Sequence, residues 1–265
     1  MKQKIIVIAD GQGVQSKCLP IALYEKHPDL REYWDNTIIL DLFADTQDEE
    51  DDIYKDIVFY QRYLQEHNYP PLIILSRGSL SQEYYEQGII PTRQFRHCTD
   101  KFKIRVIRKY IRSYLEENNL TLKDVDIRML IGITIDESIR IRDSEVQWIK
   151  NEFPFCYELK FTRKDCEKFL DDRNIPYHKS GCDHCVFKNA KKVYKSVAHK
   201  PKRKQFIINW EKKARAKNSK MLFFTAPIEK LFSKFDRQKK LPEFIELDIE
   251  IDIQSEECDT GYCFL

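Results

Sequence analysis

The sequence predicts an α/β fold, a parallel sheet flanked by helices with a cysteine-rich, basic carboxyl-terminal region, and three observations predict it. Four short runs, Lys4 to Ala9, Thr37 to Ala44, Pro71 to Ser76 and Arg128 to Thr134, are rich in Ile, Val and Leu and nearly continuous in their apolarity. Strands covered on both faces by helices read that way, whereas half-exposed strands alternate. Segments of helical periodicity, Leu19 to His27, Asp52 to Glu66 and Asp100 to Glu117, separate the runs. Such alternation closes into right-handed crossovers and puts ligands at the carboxyl ends of the strands. From about residue 150 the character changes, dividing the 265-residue chain into an α/β domain over 1–150 and a cysteine-rich, basic region over 151–265 packed on it.

The first strand is preceded by Met1-Lys2-Gln3-Lys4 and broken by Asp10 after about five apolar residues. A secretion signal needs about 7–15, and no run reaches the about 18 apolar residues of a membrane span. A cytoplasmic protein with no membrane partner is the expectation. Behind this strand comes Asp10-Gly11-Gln12-Gly13-Val14-Gln15-Ser16. It is not a GxxxxGK[ST] phosphate loop, because Lys17 follows Ser16 directly. Its glycines still allow close backbone approach, and the next helix offers N–H groups to an anion. Asp45-Thr46-Gln47 follows the second strand and Asp136 to Arg142 the fourth. Asp, Thr, Ser and Gly are ordinary turn and cap residues, yet three such clusters at three strand ends converge on one crevice. Arg93, Arg96, Lys101, Lys103, Arg105, Arg140 and Arg142 add positive charge, and the arginine fork suits phosphate or sulfate.

In the second region Thr162 opens a helix to about Asp172 with a capping-box signature. Cys182-Asp183-His184-Cys185 then leads into a stretch where thirteen Lys and Arg between Lys188 and Lys220 face the single acid Glu211. The overall balance of 45 Lys and Arg against 43 Asp and Glu excludes a whole-molecule polyanion field. It is a cancellation, however, against acidic runs at Asp48 to Asp52 and Glu243 to Asp259. A solvated helix face is the plain reading of the basic stretch; the interleaved Phe187, Tyr194, Phe206 and Trp210 suit single-stranded nucleic acid. Phe244 to Ile253 alternates strictly and predicts a half-exposed strand that brings Cys258 and Cys263 onto the body.

Eight cysteines without a secretion signal do not make a disulfide framework. Cys18, Cys156 and Cys166 lie in apolar or helical contexts and read as small buried hydrophobes. Cys182-x-x-Cys185 puts two soft ligands on one turn, the spacing of zinc and iron–sulfur sites. With Cys98 upstream and Cys258 and Cys263 at the end, a four-thiolate site can be composed. Zinc could instead recruit His97, His178 or His184, and a redox-active dithiol is a third reading.

Taken in order, Gly11 to Ser16, Phe43-Ala44-Asp45-Thr46, Cys98 to Arg105, Gly132 to Arg140, Thr162 to Cys166, Ser180 to Phe187 and Glu257 through Cys263 resemble the phosphoadenosine-phosphosulfate (PAPS) reductase family, within the adenine-nucleotide alpha-hydrolase-like, Rossmann-like superfamily. The resemblance implies an adenine nucleotide, PAPS, its unphosphorylated counterpart APS, or ATP with Mg²⁺. Gly11, Gln12, Gly13, Gln15, Ser16, Asp45 and Thr46 would hold it, with Lys103, Arg140 and Arg142 on phosphate or sulfate. It also implies a [4Fe–4S] cluster, with zinc as the alternative, on Cys98, Cys182, Cys185 and a fourth thiol, Cys263 or Cys258. Family members pair two cysteines at the first position, where this chain has His97 before Cys98 and Thr99 after it. Family reductases end in Glu-Cys-Gly, a hydrophobic residue and His; here Glu257-Cys258-Asp259 keeps the thiol in an altered setting. The main expectation is an oxidoreductase that reduces a sulfonucleotide, with Cys258 as nucleophile and a thiol electron donor such as thioredoxin. The alternative is an ATP-dependent adenylating sulfurtransferase acting on a nucleic acid bound at Lys188 to Lys220.

Overall fold

The computed structural model describes residues 2–93 and 97–239. Arg96, the expected strand at 244–253, Cys258 and Cys263 lie outside them. The chain runs β1 (Gln3–Asp10), α1 (Val14–Tyr24), α2 (Arg31–Trp34), β2 (Thr37–Asp45), α3 (Asp51–Glu66), β3 (Leu72–Ser76), α4 (Leu80–Gln87) and α5 (His97–Thr99). A π turn over Asp100–Ile104 then leads into α6 (Arg105–Glu117), β4 (Val125–Leu130), β5 (Lys150–Glu152), α7 (Pro154–Tyr157), α8 (Arg163–Asp171), α9 (Ala190–Val197), α10 (Pro201–Lys217) and α11 (Ile228–Lys239).

The sheet is parallel throughout, in the order β3-β2-β1-β4-β5. Ala9 pairs with Leu42 and Ile8 with Leu130, so the three central strands end almost level. Successive side chains of β1 face opposite ways, and each way meets a helix layer. Ile6 and Ile8 pack with α1, α3 and α8, while Ile5 and Val7 pack against Ile107, Ile111 and Leu115 of α6. That double cover is why the strands are apolar without alternation. Strand order reverses between β1 and β4, and the crevice of a doubly wound sheet opens at that switch point. Helices α9 and α11 bury a separate cluster, including Val193, Val197, Ile228 and Phe232. Among the described residues no helix is long and apolar enough to cross a membrane.

Several elements differ from the sequence expectation. Helix α1 starts at Val14 rather than Leu19, because Gln12 takes a left-handed conformation (φ 59°) and the extended Gly13 launches the helix directly. Strand β4 ends at Leu130 rather than running to Thr134. Past it, Gly132 passes the start of α1 so closely that a Cβ there would stand 3.1 Å from the Gln15 backbone, and the two segments would have to part by a few tenths of an ångström to admit one. Helix α4 was not expected, though it carries ordinary signals: the Ser79 side chain accepts from Gln82 N, and Gly88 closes the helix at φ 60°.

Candidate functional site

The first loop folds around a buried acid. Asp10, 2% exposed, accepts from Gln12 N at 2.6 Å through Oδ1 and from Gln12 Nε2 at 2.8 Å through Oδ2. Burial pushes its carboxyl up to about 7, against the Gln12 backbone amide and the Lys17 charge, which hold it down. Gln12 is itself fully buried, and its Oε1 has no partner. Beneath the loop Lys17, wholly buried, donates to Asp56 Oδ2 at 2.8 Å and to Pro176 O at 3.0 Å. Burial lowers its pKa, and Asp56 offsets part of that. Neither residue carries a signal readable from the sequence, because the partners stand 39 positions apart.

Two of the three expected strand-end clusters meet. Gln15 Nε2 donates to Glu137 Oε2 at 3.2 Å, tying the first loop to the segment after β4. The same oxygen takes Arg140 Nη1 at 2.5 Å, while the buried Arg140 Nε has no partner. Arg142 Nη1 folds onto the carbonyls of Ile139 and Ile141 at 3.0 and 2.8 Å. At the end of β2, Asp45 Oδ1 accepts from Gln47 N at 2.7 Å and from the Tyr54 hydroxyl at 3.0 Å. Thr46, fully buried, donates to Glu49 Oε1 at 3.4 Å and lies 3.5 Å from Cys182 Sγ. Thr46 is thereby placed at the thiols.

Three cavities open along this rim. The first, about 270 Å³, sits at the switch point: Ala9 of β1 and Met129 and Ile131 at the end of β4 wall it, with Lys103, Arg108 and Arg142 at its polar side. The second, about 40 Å³, brings Cys98, Cys182 and Cys185 to one wall, with Thr46, Lys103 and Phe187. The third, about 280 Å³, lies beyond Cys185 among lysines. Lys103 lines the first and second; Gly181, Cys185 and Phe187 line the second and third. Lys103 Nζ stands 3.5 Å from Glu49, whose other oxygen is buried without a partner. Burial pushes the Cys182 thiol up, and nearby Glu49 and Cys185 push it further; Lys103 works the other way.

Cys182 and Cys185 are held by a polar knot that sequence reasoning missed. Residues 49 and 182 form an isolated antiparallel bridge, and Asp183 N donates to Asp48 O at 3.0 Å. Arg203, from the basic stretch, donates from Nε to Asp183 Oδ2 at 2.8 Å, from Nη2 to Asp48 Oδ1 at 2.6 Å and from Nη1 to Ser81 Oγ at 2.9 Å. Burial alone would raise Asp183; hydrogen bonds from His184 and Arg203 outweigh it and hold the carboxyl well below its usual range. The His184 ring stacks edge-on against Trp210, 5.0 Å between centroids, so His184 is part of the packing around the turn. Cys18 and Cys166 are fully buried in the core.

Three thiols on one wall are the donor chemistry of a thiolate-ligated cluster. Among the described residues no three Cys, His, Asp or Glu side chains stand close enough to hold a single metal ion.

Fold and site together define an α/β protein with a crevice at the strand switch point and a cysteine-lined cavity opening beside it. No family model matches the sequence, and no curated protein does. Among solved structures, the U34-tRNA thiolase NcsA from Methanococcus maripaludis, with its [4Fe–4S] cluster, is similar at a TM-score of 0.45 and 14% identity, over 95% of this chain and 76% of that one. That protein is a thiolase, unlike the oxidoreductase of the PAPS reductase type expected from the sequence.

Proposed function

We propose that this chain is an adenine-nucleotide-dependent sulfurtransferase that thiolates a nucleic acid, with Cys98, Cys182 and Cys185 holding an iron–sulfur cluster. The observation that carries the reading is the file of three cavities joined by Lys103 and then by Cys185. A reaction that first activates an acceptor oxygen with ATP and then replaces it with sulfur needs two reagents kept apart yet within reach of one atom, and adjoining pockets supply that proximity.

The switch-point cavity receives the adenosine, its apolar floor of Ala9, Met129 and Ile131 against the base. Phosphates fall to Lys103 and Arg142 and to the turn Gly11, Gln12, Gly13, Gln15 and Ser16, with Asp45 and Thr46 closing the side toward β2. Arg140 fixes the loop through Glu137 and keeps its unpartnered Nε for the nucleotide. With the acceptor adenylated and pyrophosphate gone, Lys103 faces the developing charge from one side and the thiol wall from the other, a preorganised cation where charge moves. When bound, the cluster supplies an iron–sulfur surface that holds sulfur for transfer. Its fourth ligand is assigned to Cys263 or Cys258.

The test is anaerobic: iron- and sulfide-loaded protein is given ATP, sulfide and RNA, and pyrophosphate release is followed beside mass spectrometry of the RNA. RNA-stimulated pyrophosphate release with exchange of one oxygen for sulfur is expected. ATP cleavage indifferent to RNA, with no sulfur in the product, sinks the proposal. Lys103→Met should lower kcat/KM by about 10²-fold, the usual loss for one preorganised charge contact.

A further inference from the structure

The chain from Pro176 to Cys182 passes the first turn of α1. Pro176 O accepts from Lys17 Nζ at 3.0 Å, Ser180 Oγ stands 3.3 Å from where a Cβ on Gly13 would be, and Cys182 Sγ lies 3.5 Å from Thr46. His178 falls midway between the first two contacts, so it is carried along the loop to which the proposed function gives the phosphates. Its Nδ1 stands 3.1 and 3.0 Å from Asp56 Oδ1 and Oδ2. A carboxylate that already faces the Lys17 ammonium at 2.8 Å accepts and does not donate, so Nδ1 carries the hydrogen and Nε2 is the ring nitrogen turned from Asp56. The Asp56 side chain is 3% exposed and the His178 side chain 52%. That combination sets His178 apart from three other histidines beside carboxylates: the partners of His27 and His199, Asp29 and Asp51, are themselves exposed, and His184 is closed in beside Asp183. A buried carboxylate behind an open imidazole fixes the tautomer and the ring while leaving the outer nitrogen to meet a ligand.

We propose that His178 is the proton donor to the leaving pyrophosphate. The inference rests on the sulfurtransferase reading and adds a catalytic residue to it. The acceptor oxygen forms a bond to the α-phosphorus of ATP, and the bond from that phosphorus to the α,β-bridging oxygen breaks. Its electron pair stays on the bridging oxygen, which takes the Nε2 proton of the imidazolium; AMP remains on the acceptor, and the neutral ring recovers a proton from water. Nδ1 keeps its hydrogen bond to Asp56 throughout. Charge gathers on the departing oxygen in such a transfer, and a positioned acid there contributes about 10²–10⁴-fold. The charged groups around His178 are Asp52, Lys55 and Asp56 on α3, Lys17 on α1 and Lys179 next in the chain. Lys17 and Lys55 are committed to Asp56 and Asp52, which leaves the imidazole, a side-chain type that exchanges protons near neutrality, as the donor.

Asp56 also holds Lys17, so the test substitutes the histidine, in the full chain loaded with iron and sulfide, and follows pyrophosphate release from ATP across pH with and without RNA. His178→Asn keeps a donor at the Nδ1 position and removes Nε2; His178→Gln places an amide near Nε2 that does not titrate. Each should lower kcat by about 10²-fold with KM for ATP unchanged, and should abolish the ionisation that closes the alkaline side of the parent profile. Thermal melts of both should match the parent, and His199→Gln, on an exposed pair, should leave rate and profile unchanged. A parent-like kcat in His178→Asn, or an alkaline limb that survives in either variant, overturns the inference. If release is indifferent to RNA while both variants lose the limb, the proton donor stands and the sulfurtransferase reading falls. If release is RNA-stimulated and both variants keep the limb, the reading stands and the His178 assignment falls. No pyrophosphate release under any condition overturns both.

Discussion

The sheet crevice and the helical region after it treat lysine in opposite ways. Under the first loop Lys17 is wholly buried and locked to Asp56, itself 3% exposed. In the helical region Lys212 and Glu229 form a pair with both side chains half exposed, and Lys192 and Lys195 stand at the surface around a pocket. In the crevice, charge is part of the packing, and its removal unfolds the site. In the helical region, charge lies at the surface, and its removal should leave the fold intact.

Asp56→Ala should show this difference most strongly. It leaves the Lys17 ammonium buried without its carboxylate, so unfolding in urea should lose about 3–5 kcal/mol. Arg203→Ala comes next, since it strips the cation from Asp48 and Asp183; a loss of about 2–3 kcal/mol and a fall in bound iron after reconstitution are expected. Arg203→Lys restores the charge and not the fork, and should recover only part of the iron. A smaller effect concerns pH. The folded Asp10 carboxyl is raised to about 7, above its unfolded value, so the folded state binds the extra proton and stability from this group falls as pH rises from about 4 toward 7. Asp10→Asn should flatten that slope in pH-dependent denaturation; an unchanged slope would assign it elsewhere. Least of all, Lys212→Ala should cost under about 0.5 kcal/mol, as an exposed pair does. A loss comparable to that of Asp56→Ala would erase the contrast.

Much of the crevice was legible in the sequence, because parallel-sheet topology converts position along the chain into position in space. Four apolar runs gave four strands, and the segments behind β1 and β4 meet, as the Gln15–Glu137 bond shows. Strand β5 escaped notice, since Lys150-Asn151-Glu152 is short and polar and is recruited only by pairing with β4. The Cys182 and Cys185 spacing was equally visible. What holds that turn was not: Arg203 reads as one more cation in a basic run, and its partners Asp48 and Asp183 lie 155 and 20 residues away. The pairing of the lysines escaped for the same reason, because Asp51, Asp236 and Glu229 neutralise Lys200, Lys204 and Lys212 across distances no local pattern spans. Lys103 carried a visible charge, while its place between two cavities is a product of the π turn that presents it.

The Asp48–Asp183–Arg203 knot also sets an order of events in the life of the chain. Cys98 belongs to the first half to leave the ribosome and Cys182 to the second, and the turn that carries Cys182 is tied down only once Arg203, later still, has joined Asp48 and Asp183. Metal and sulfide offered to the nascent chain find scattered thiols; offered to the finished one, they find a socket. Under the proposed function, loading of the three thiols follows folding, and its rate should follow the closing of one arginine.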